Sequence, residues 1–137
     1  MCEWGLALAY GQNLNDALVM SLEPWFLDNE PLAYEAVQRA QALLSPSRAK
    51  PGYAGSKRDA ALVSALALKY VATVEEYKSY FVDGLPNSLN HAYAEAMAEA
   101  AARSGEEGWP DHPITLLLAA DAWMNISPWD CKFFAIS

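Results

Sequence analysis

The sequence is short of cysteine and of positive charge, and it contains no long apolar run. Its two cysteines, Cys2 and Cys131, lie near opposite ends of the 137 residues. A framework of several disulfides is therefore excluded, although one bridge between the ends is conceivable. We expect free thiols and a cytoplasmic protein, because cysteine is scarce and the first residues lack the basic and apolar segments of an export signal. No apolar run reaches the roughly 18 residues of a membrane span, so we expect no membrane partner.

Positive charge is scarce as well. Nine basic side chains stand against 17 acidic ones, which gives a formal net charge of -8. Binding to nucleic-acid backbones depends on lysines and arginines that release counterions, so this balance argues against a nucleic-acid partner. The same negative charge favours rapid encounter with a basic protein surface.

The motifs of the common catalytic classes are also missing. The sequence has no G-x-S-x-G elbow, Walker loop, H-E-x-x-H, C-x-x-C or dinucleotide fingerprint. We therefore assign no catalytic residue, no metal and no cofactor, and a non-enzymatic role is the better expectation.

What the sequence does contain is typical of a helical protein. Alanine is abundant, β-branched runs are rare, and apolar residues make up 53% of the chain. We predict an all-α fold in a single domain, residues 1–137, with about five helices in a compact bundle. The predicted helices, placed by caps, prolines and glycines, cover residues 13–24, 28–44, 56–84, 87–105 and 111–124.

The fifth predicted helix is apolar nearly all round. From Ile114 to Met124 only Thr115 and Asp121 are polar, so we expect this helix to be buried on most sides. Asp121 is then tied to a lysine, arginine or tyrosine within the fold, or points outward, or serves as an acid, a base or an anchor for a partner's arginine. The aromatic tail, "SPWDCKFFAIS", is expected to pack on the bundle, and a partner-binding surface is the alternative.

Two polar groups raise the question of a small ligand. His91, Glu95 and Glu99 share one side of the fourth helix and could bind a metal or share a proton, but a solvated helix side is the simpler interpretation. A basic loop ahead of the third helix could hold an anion, or simply be a solvated loop. Its basic residues are Arg48, Lys50, Lys57 and Arg58.

Our first functional hypothesis is a small acidic module that blocks a basic surface or active site of another macromolecule, as an immunity protein, an antitoxin or a phage-type inhibitor does. Charge would steer the encounter, and aromatic residues would hold the partner. The candidate contacts are acid-flanked tryptophans and their neighbours: Trp25, Asp28, Glu30, Glu106, Glu107, Trp109, Asp111 and Trp129.

Two further hypotheses stay open. The chain could be an assembly component, a homodimer that buries its fifth helix and tail against a second copy. Alternatively, a small molecule could bind between the third and fifth helices. The lining residues would then be Tyr70, Tyr77, Asp121 and Trp123, with His91 nearby.

Overall fold

The computed structural model describes residues 2–11, 27–44, 57–82, 85–103 and 113–126. Six helices lie in these ranges: α1 (Cys2–Tyr10), α2 (Asn29–Leu44), α3 (Lys57–Leu66), α4 (Val74–Ser79), α5 (Asn87–Ala102) and α6 (Pro113–Met124). Between α4 and α5 in the chain, β1 (Phe81–Val82) pairs antiparallel with β2 (Leu85–Pro86), two residues each. The predicted all-α class with about five helices is confirmed, since five of the described helices have seven or more residues.

Three helices begin where the sequence places them. α2 begins at Asn29, two residues before Pro31, whose missing N–H costs nothing in a first turn. α5 begins at Asn87, and α6 begins at Pro113. The first predicted helix, residues 13–24, and the aromatic tail lie outside the described residues.

The prediction of one continuous helix over residues 56–84 is wrong. α3 ends at Leu66, and the backbone N–H of Lys69 donates to the Leu66 carbonyl, the shorter spacing of a tightened last turn. A new helix begins after Thr73, whose hydroxyl accepts a hydrogen bond from the Glu76 N–H at 3.1 Å. This N-cap satisfies a backbone group that a continuous helix would have paired, and T-x-x-E is the sequence signal for it.

α1 is a helix that the sequence analysis did not predict. It packs along α2, where Arg39 Nε donates to Glu3 Oε2 at 2.9 Å. It also reaches α3, since Trp4 Nε1 donates to the Leu62 carbonyl at 3.2 Å. The last turn of α1 has no basic residue to interact favourably with the helix dipole. The helix is therefore stabilised by its packing on α2 and α3.

The core consists of two clusters of buried residues. The larger one is rich in alanine, which lets α1, α2, α3, α5 and α6 approach each other closely; its bulky members include Leu66, Tyr70, Tyr93 and Met97. The smaller one surrounds α4 and contains Leu27, Val71, Tyr77 and Leu89. α4 is therefore held by a different set of contacts from α3, although both belong to the segment predicted as one helix.

Gly11 closes α1 against the larger cluster. It is buried beside the Tyr70 phenol, and any Cβ at this position would overlap the phenol oxygen and ring. Gly11→Ala is therefore expected to lower the free energy of unfolding by about 1–3 kcal/mol, measured by urea denaturation. The matched control is Gly5→Ala, because Gly5 lies in α1 with open space around it. That change is expected to stabilise by about 0.5–1 kcal/mol, and equal stabilities for the two variants would contradict the close contact.

Candidate functional site

Most of the large apolar side chains of α6 are exposed, whereas its fully buried residues are small. The exposed residues share one side of the helix at spacings of three and four, and we call them the α6 face: Leu116, Leu117, Ala120, Trp123 and Met124. Leu117 is 68% exposed and Trp123 is 47% exposed. The buried side carries Thr115, Ala119 and Ala122, together with Asn125 just after the helix, and Leu118 is partly buried against the larger core cluster.

The expectation that this helix is buried on most sides is therefore wrong. A helix that is apolar nearly all round has no polar stripe to mark its outer side, so its pattern does not predict which side meets the neighbours. Burying a large apolar side chain stabilises a protein by roughly 1.5–3 kcal/mol. Most of the large side chains of α6 are exposed and do not contribute this free energy. Contiguous exposed apolar patches of this kind mark interaction sites.

The α6 face contains no charged residue, but polar groups lie at its edge. The His91 ring of α5 meets the Trp123 ring edge-on, with 6.4 Å between the ring centres. Glu95 follows one turn along the same exposed side of α5. An apolar centre with a polar rim is the composition typical of a protein–protein interface.

A second unusual feature is a lysine buried between the helices. Lys69 is 4% exposed, and its Nζ lies 5.1 Å from the centre of the Tyr93 ring and 5.8 Å from that of the Tyr70 ring. The carboxylates of Asp121 and Glu30 attract the same ammonium. We call these five residues the Lys69 cluster, in which ring faces and carboxylates surround one cation.

Widely separated segments bring the Lys69 cluster together. Glu30 lies in the first turn of α2, Lys69 and Tyr70 follow α3, Tyr93 lies on α5, and Asp121 lies on α6. The backbone N–H of the next residue along, Val71, donates to Glu30 Oε1 at 3.2 Å. The carboxyl of α2 thus replaces the helical partner that this N–H lost where α3 ends.

Burial shifts the two interior titrating groups in opposite directions. Burial lowers the pKa of Lys69 to about 8, against the attraction of Asp121 and then of Glu30. Burial raises the pKa of Glu30 to about 8, although the hydrogen bond from Val71 and the charge of Lys69 act the other way. At neutral pH this arrangement favours a protonated Glu30 and a charged Lys69, with Asp121 as its principal counter-ion.

Around the cluster, α6 is attached to α5 by polar groups. Asn90 Nδ2 donates to the Asn125 carbonyl at 3.1 Å, and Asn125 Nδ2 donates to the Asp121 carboxylate at 3.2 Å. Some buried atoms of the described residues make no hydrogen bond, namely Tyr70 Oη, Tyr93 Oη, Thr115 Oγ1 and Asn125 Oδ1. An unpaired buried polar group costs about 1–3 kcal/mol, so this packing is not the most stable one available to an apolar helix.

Chemically, the Lys69 cluster can hold charge and protons inside the protein. Lys69 and Glu30 are almost fully buried, and burial raises the pKa of Tyr70 and Tyr93 so that both phenols stay protonated. Lys69, Glu30 and the two phenols therefore present neither a nucleophile nor a base at the surface. The sequence analysis named Asp121, Glu30 and Tyr70, but not as members of this cluster. Asp121 is half-buried, its charge attracts Lys69, and its carboxylate accepts a hydrogen bond from Asn125 Nδ2.

The sequence analysis missed Lys69 as a site residue. It is the one charged residue in the apolar stretch between Leu62 and Val74, and this isolated charge was the available signal. Tyr93 is buried, and its place beside a lysine could not be read from helical spacing.

The predicted partner-binding residues are only partly described. Asp28 is exposed, as a surface contact requires, whereas Glu30 is 2% exposed and accepts a backbone hydrogen bond. Glu30 therefore does not present a carboxylate to a partner, because its position in the first turn of α2 points it into the core. The remaining candidates, Trp25, Glu106, Glu107, Trp109, Asp111 and Trp129, lie outside the described residues.

The residues proposed to line a small-molecule pocket do not share one open cleft. Tyr70 and Tyr77 are buried in different core clusters, whereas Trp123 is exposed. Asp121 and Trp123 lie two positions apart on α6, which places them on different sides of the helix. An open groove of about 170 Å³ does lie between α3 and α5, but ligand pockets usually exceed roughly 300 Å³.

The polar groups singled out in the sequence show little sign of binding a small ion. Of the basic residues, Lys57 is exposed and Arg58 Nη2 lies 3.4 Å from Asp59 Oδ1, while Arg48 and Lys50 fall outside the described ranges. Within those ranges no three histidine, cysteine or acidic side chains converge as a metal site, His91, Glu95 and Glu99 included. None of the helices described is both long and apolar enough to cross a bilayer.

Comparison of the chain with known protein families, with curated proteins and with solved structures finds no match. The features that bear on function are therefore the α6 face, the Lys69 cluster and the charge of the chain.

Proposed function

We propose that this protein is a small acidic protein-binding module of the cytoplasm that docks through its α6 face. The partner we infer is a protein with an apolar groove set in a basic surface. Binding there would block that surface, in the manner of an immunity protein, an antitoxin or a phage-type inhibitor. The single observation that carries the proposal is that α6 exposes most of its large apolar side chains on one side, namely Leu116, Leu117, Trp123 and Met124.

The arrangement of the α6 face supports helix-in-groove docking. Anchors at helical spacings of three and four are how an amphipathic helix fits a partner's groove. Trp123 and Leu117 offer large apolar surfaces, and such residues contribute most of the binding free energy when an interface buries them. Ala120 lies between them, so that the partner's backbone can approach closely.

Charge supports a basic surround on the partner. The net charge of -8 speeds encounter with a basic surface, and described acids such as Asp28, Glu75 and Glu95 are exposed. Trp25 and Trp109, the acid-flanked tryptophans outside the described residues, remain proposed partner contacts. The α6 face would then supply affinity, and the acidic surface would supply rate and selectivity.

Leu117→Glu tests the proposal. A charge in the centre of the α6 face is expected to weaken binding by at least about 30-fold, because a buried unpaired carboxylate costs about 2 kcal/mol or more. The matched control is Leu43→Glu, since Leu43 is 56% exposed on α2 and lies off the α6 face. Both variants would serve as bait in native lysate of cells that make the protein, and the captured protein would then be purified and titrated by calorimetry.

Support requires one basic protein, captured in stoichiometric amounts by the wild type and by Leu43→Glu but lost with Leu117→Glu. Its affinity should also fall as salt is raised, because the steering is electrostatic. A purified partner that binds Leu117→Glu as tightly as the wild type would refute docking through the α6 face. A captured protein that is acidic would refute the charge argument.

A second candidate is self-assembly, and it is favoured by the absence of charge from the α6 face. Two copies could meet there around a two-fold axis without placing like charges in contact. Sedimentation equilibrium distinguishes the candidates. A dimer that dissociates in Leu117→Glu but persists in Leu43→Glu would assign the α6 face to a second copy, and a monomer at high concentration would exclude this.

A further inference from the structure

We propose that the polar contacts on the inner side of α6, Asn125 with Asn90 and with the half-buried Asp121, act together with the attraction of Asp121 for Lys69 as a register lock that fixes which side of α6 faces outward. The inference rests on the proposed function in one respect, namely that the exposed α6 face binds a partner. The lock itself is a property of the isolated protein.

Apolar burial alone favours another orientation of α6 about its own axis. Turning α6 about its axis would bury Leu117 and Trp123. It would expose Ala119 and Ala122, which bury little area, together with Leu118, which is only partly buried. Hydrophobic burial scales with apolar area, so it favours the turned helix. Something other than the hydrophobic effect must therefore hold α6 in the observed orientation.

Asp121 and Asn125 have their partners only in the observed orientation. The charge of the half-buried Asp121 attracts the Lys69 ammonium, Asn125 Nδ2 donates to the Asp121 carboxylate at 3.2 Å, and the Asn125 carbonyl accepts from Asn90 Nδ2 at 3.1 Å. Turning the helix would leave the buried Lys69 without its principal counter-ion and Asn90 without its acceptor, and a buried charge or polar group that loses its partner is destabilising. Buried polar groups are known to fix helix register in this way, at a cost in stability.

The observed orientation of α6 has a cost in stability, which is visible as buried polar atoms without hydrogen bonds. Thr115 Oγ1 and Asn125 Oδ1 on the inner side of α6, and Tyr93 Oη facing it from α5, are buried without hydrogen bonds. A helix selected only for stability would carry apolar side chains at these positions. A site where stability is given up in favour of a defined orientation is typical of a functional surface.

Cysteine accessibility measures the orientation directly. Leu117→Cys and Ala119→Cys would be made separately in protein whose Cys2 and Cys131 are replaced by serine, and labelled with a maleimide under native conditions. Leu117 is 68% exposed and Ala119 is 8% exposed, so the ratio of the labelling rates at positions 117 and 119 should be high in the otherwise unchanged protein. This ratio reports which side of α6 is outward, whereas a stability measurement would not.

The lock is removed by Lys69→Met together with Asp121→Leu, which replaces both charges by apolar side chains of similar size. The ratio of labelling rates is expected to fall by at least about tenfold, the factor for about 1.4 kcal/mol between two orientations. The control is Glu30→Gln, which alters the same cluster without touching α6 and should leave the ratio unchanged. Asp121→Asn provides a second variant with an intermediate fall, should the double variant fail to fold.

A folded lock-free variant, or Asp121→Asn, that keeps the unaltered ratio would overturn the inference. The orientation of α6 would then be set by shape, because only its alanines fit closely against α5. Failure of the proposed function would give a different result. A partner would bind Leu117→Glu as tightly as the wild type, while the ratio of labelling rates would still depend on Asp121.

Discussion

Replacing Lys69 with alanine is expected to lower the free energy of unfolding by about 2–5 kcal/mol at pH 7. The substitution opens a cavity beneath the Tyr70 and Tyr93 rings and removes the ammonium that Asp121 attracts. The cavity is the main cause, because the lowered pKa of Lys69 means that burying its charge is itself a cost. Urea denaturation followed by far-ultraviolet circular dichroism measures the change.

Two variants separate these causes. Lys78→Ala changes an exposed lysine of α4 and should stay within about 0.5 kcal/mol of the wild type. Lys69→Met keeps most of the side-chain volume, so it should cost less than Lys69→Ala, and the difference reports the cavity. If Lys69→Ala were as stable as Lys78→Ala, the buried ammonium would have no structural role.

The second large effect is a minimum of stability near pH 8 from the two buried groups. The pKa of Glu30 is raised from 4.5 to about 8, so between these values the folded protein holds a proton that the unfolded chain has released. Stability therefore falls as the pH rises through this window. The pKa of Lys69 is lowered from 10.5 to about 8, so above pH 8 the unfolded chain holds the extra proton and stability rises with pH.

The fall of stability below pH 8 and its rise above pH 8, here called the two arms, can each be removed by one substitution. Glu30→Gln should abolish the fall between pH 5 and 8, and Lys69→Met should abolish the rise between pH 8 and 9.5; each arm amounts to a few kcal/mol. Because burial raises the pKa of Tyr70, Tyr77 and Tyr93, their contribution to stability begins to be lost near pH 10, so measurements should stop at pH 9.5. Difference profiles against the wild type that are flat with pH would contradict the described environment of these groups.

Local chemistry made several features predictable. Pro31 and Pro113 mark first turns because proline lacks the N–H that a helix start leaves unpaired, and Asn87 marks the start of α5. The break after Leu66 was also encoded locally, in Thr73 and Glu76, but a continuous apolar stripe outweighed that capping signal in our interpretation. Competing local signals of similar weight are decided by tertiary contacts, here the bond from the Val71 N–H to a carboxyl of α2.

The helical class, the starts of α2, α5 and α6, and the net negative charge could be read from the sequence alone. These follow from composition and from neighbours in the chain. Only the tertiary structure decided that Glu30 is buried while Asp28 is exposed, that Lys69 lies between two tyrosines, and that α6 turns its large side chains outward. Helical spacing shows which residues share a side, but which side meets a neighbour depends on groups brought together from distant segments.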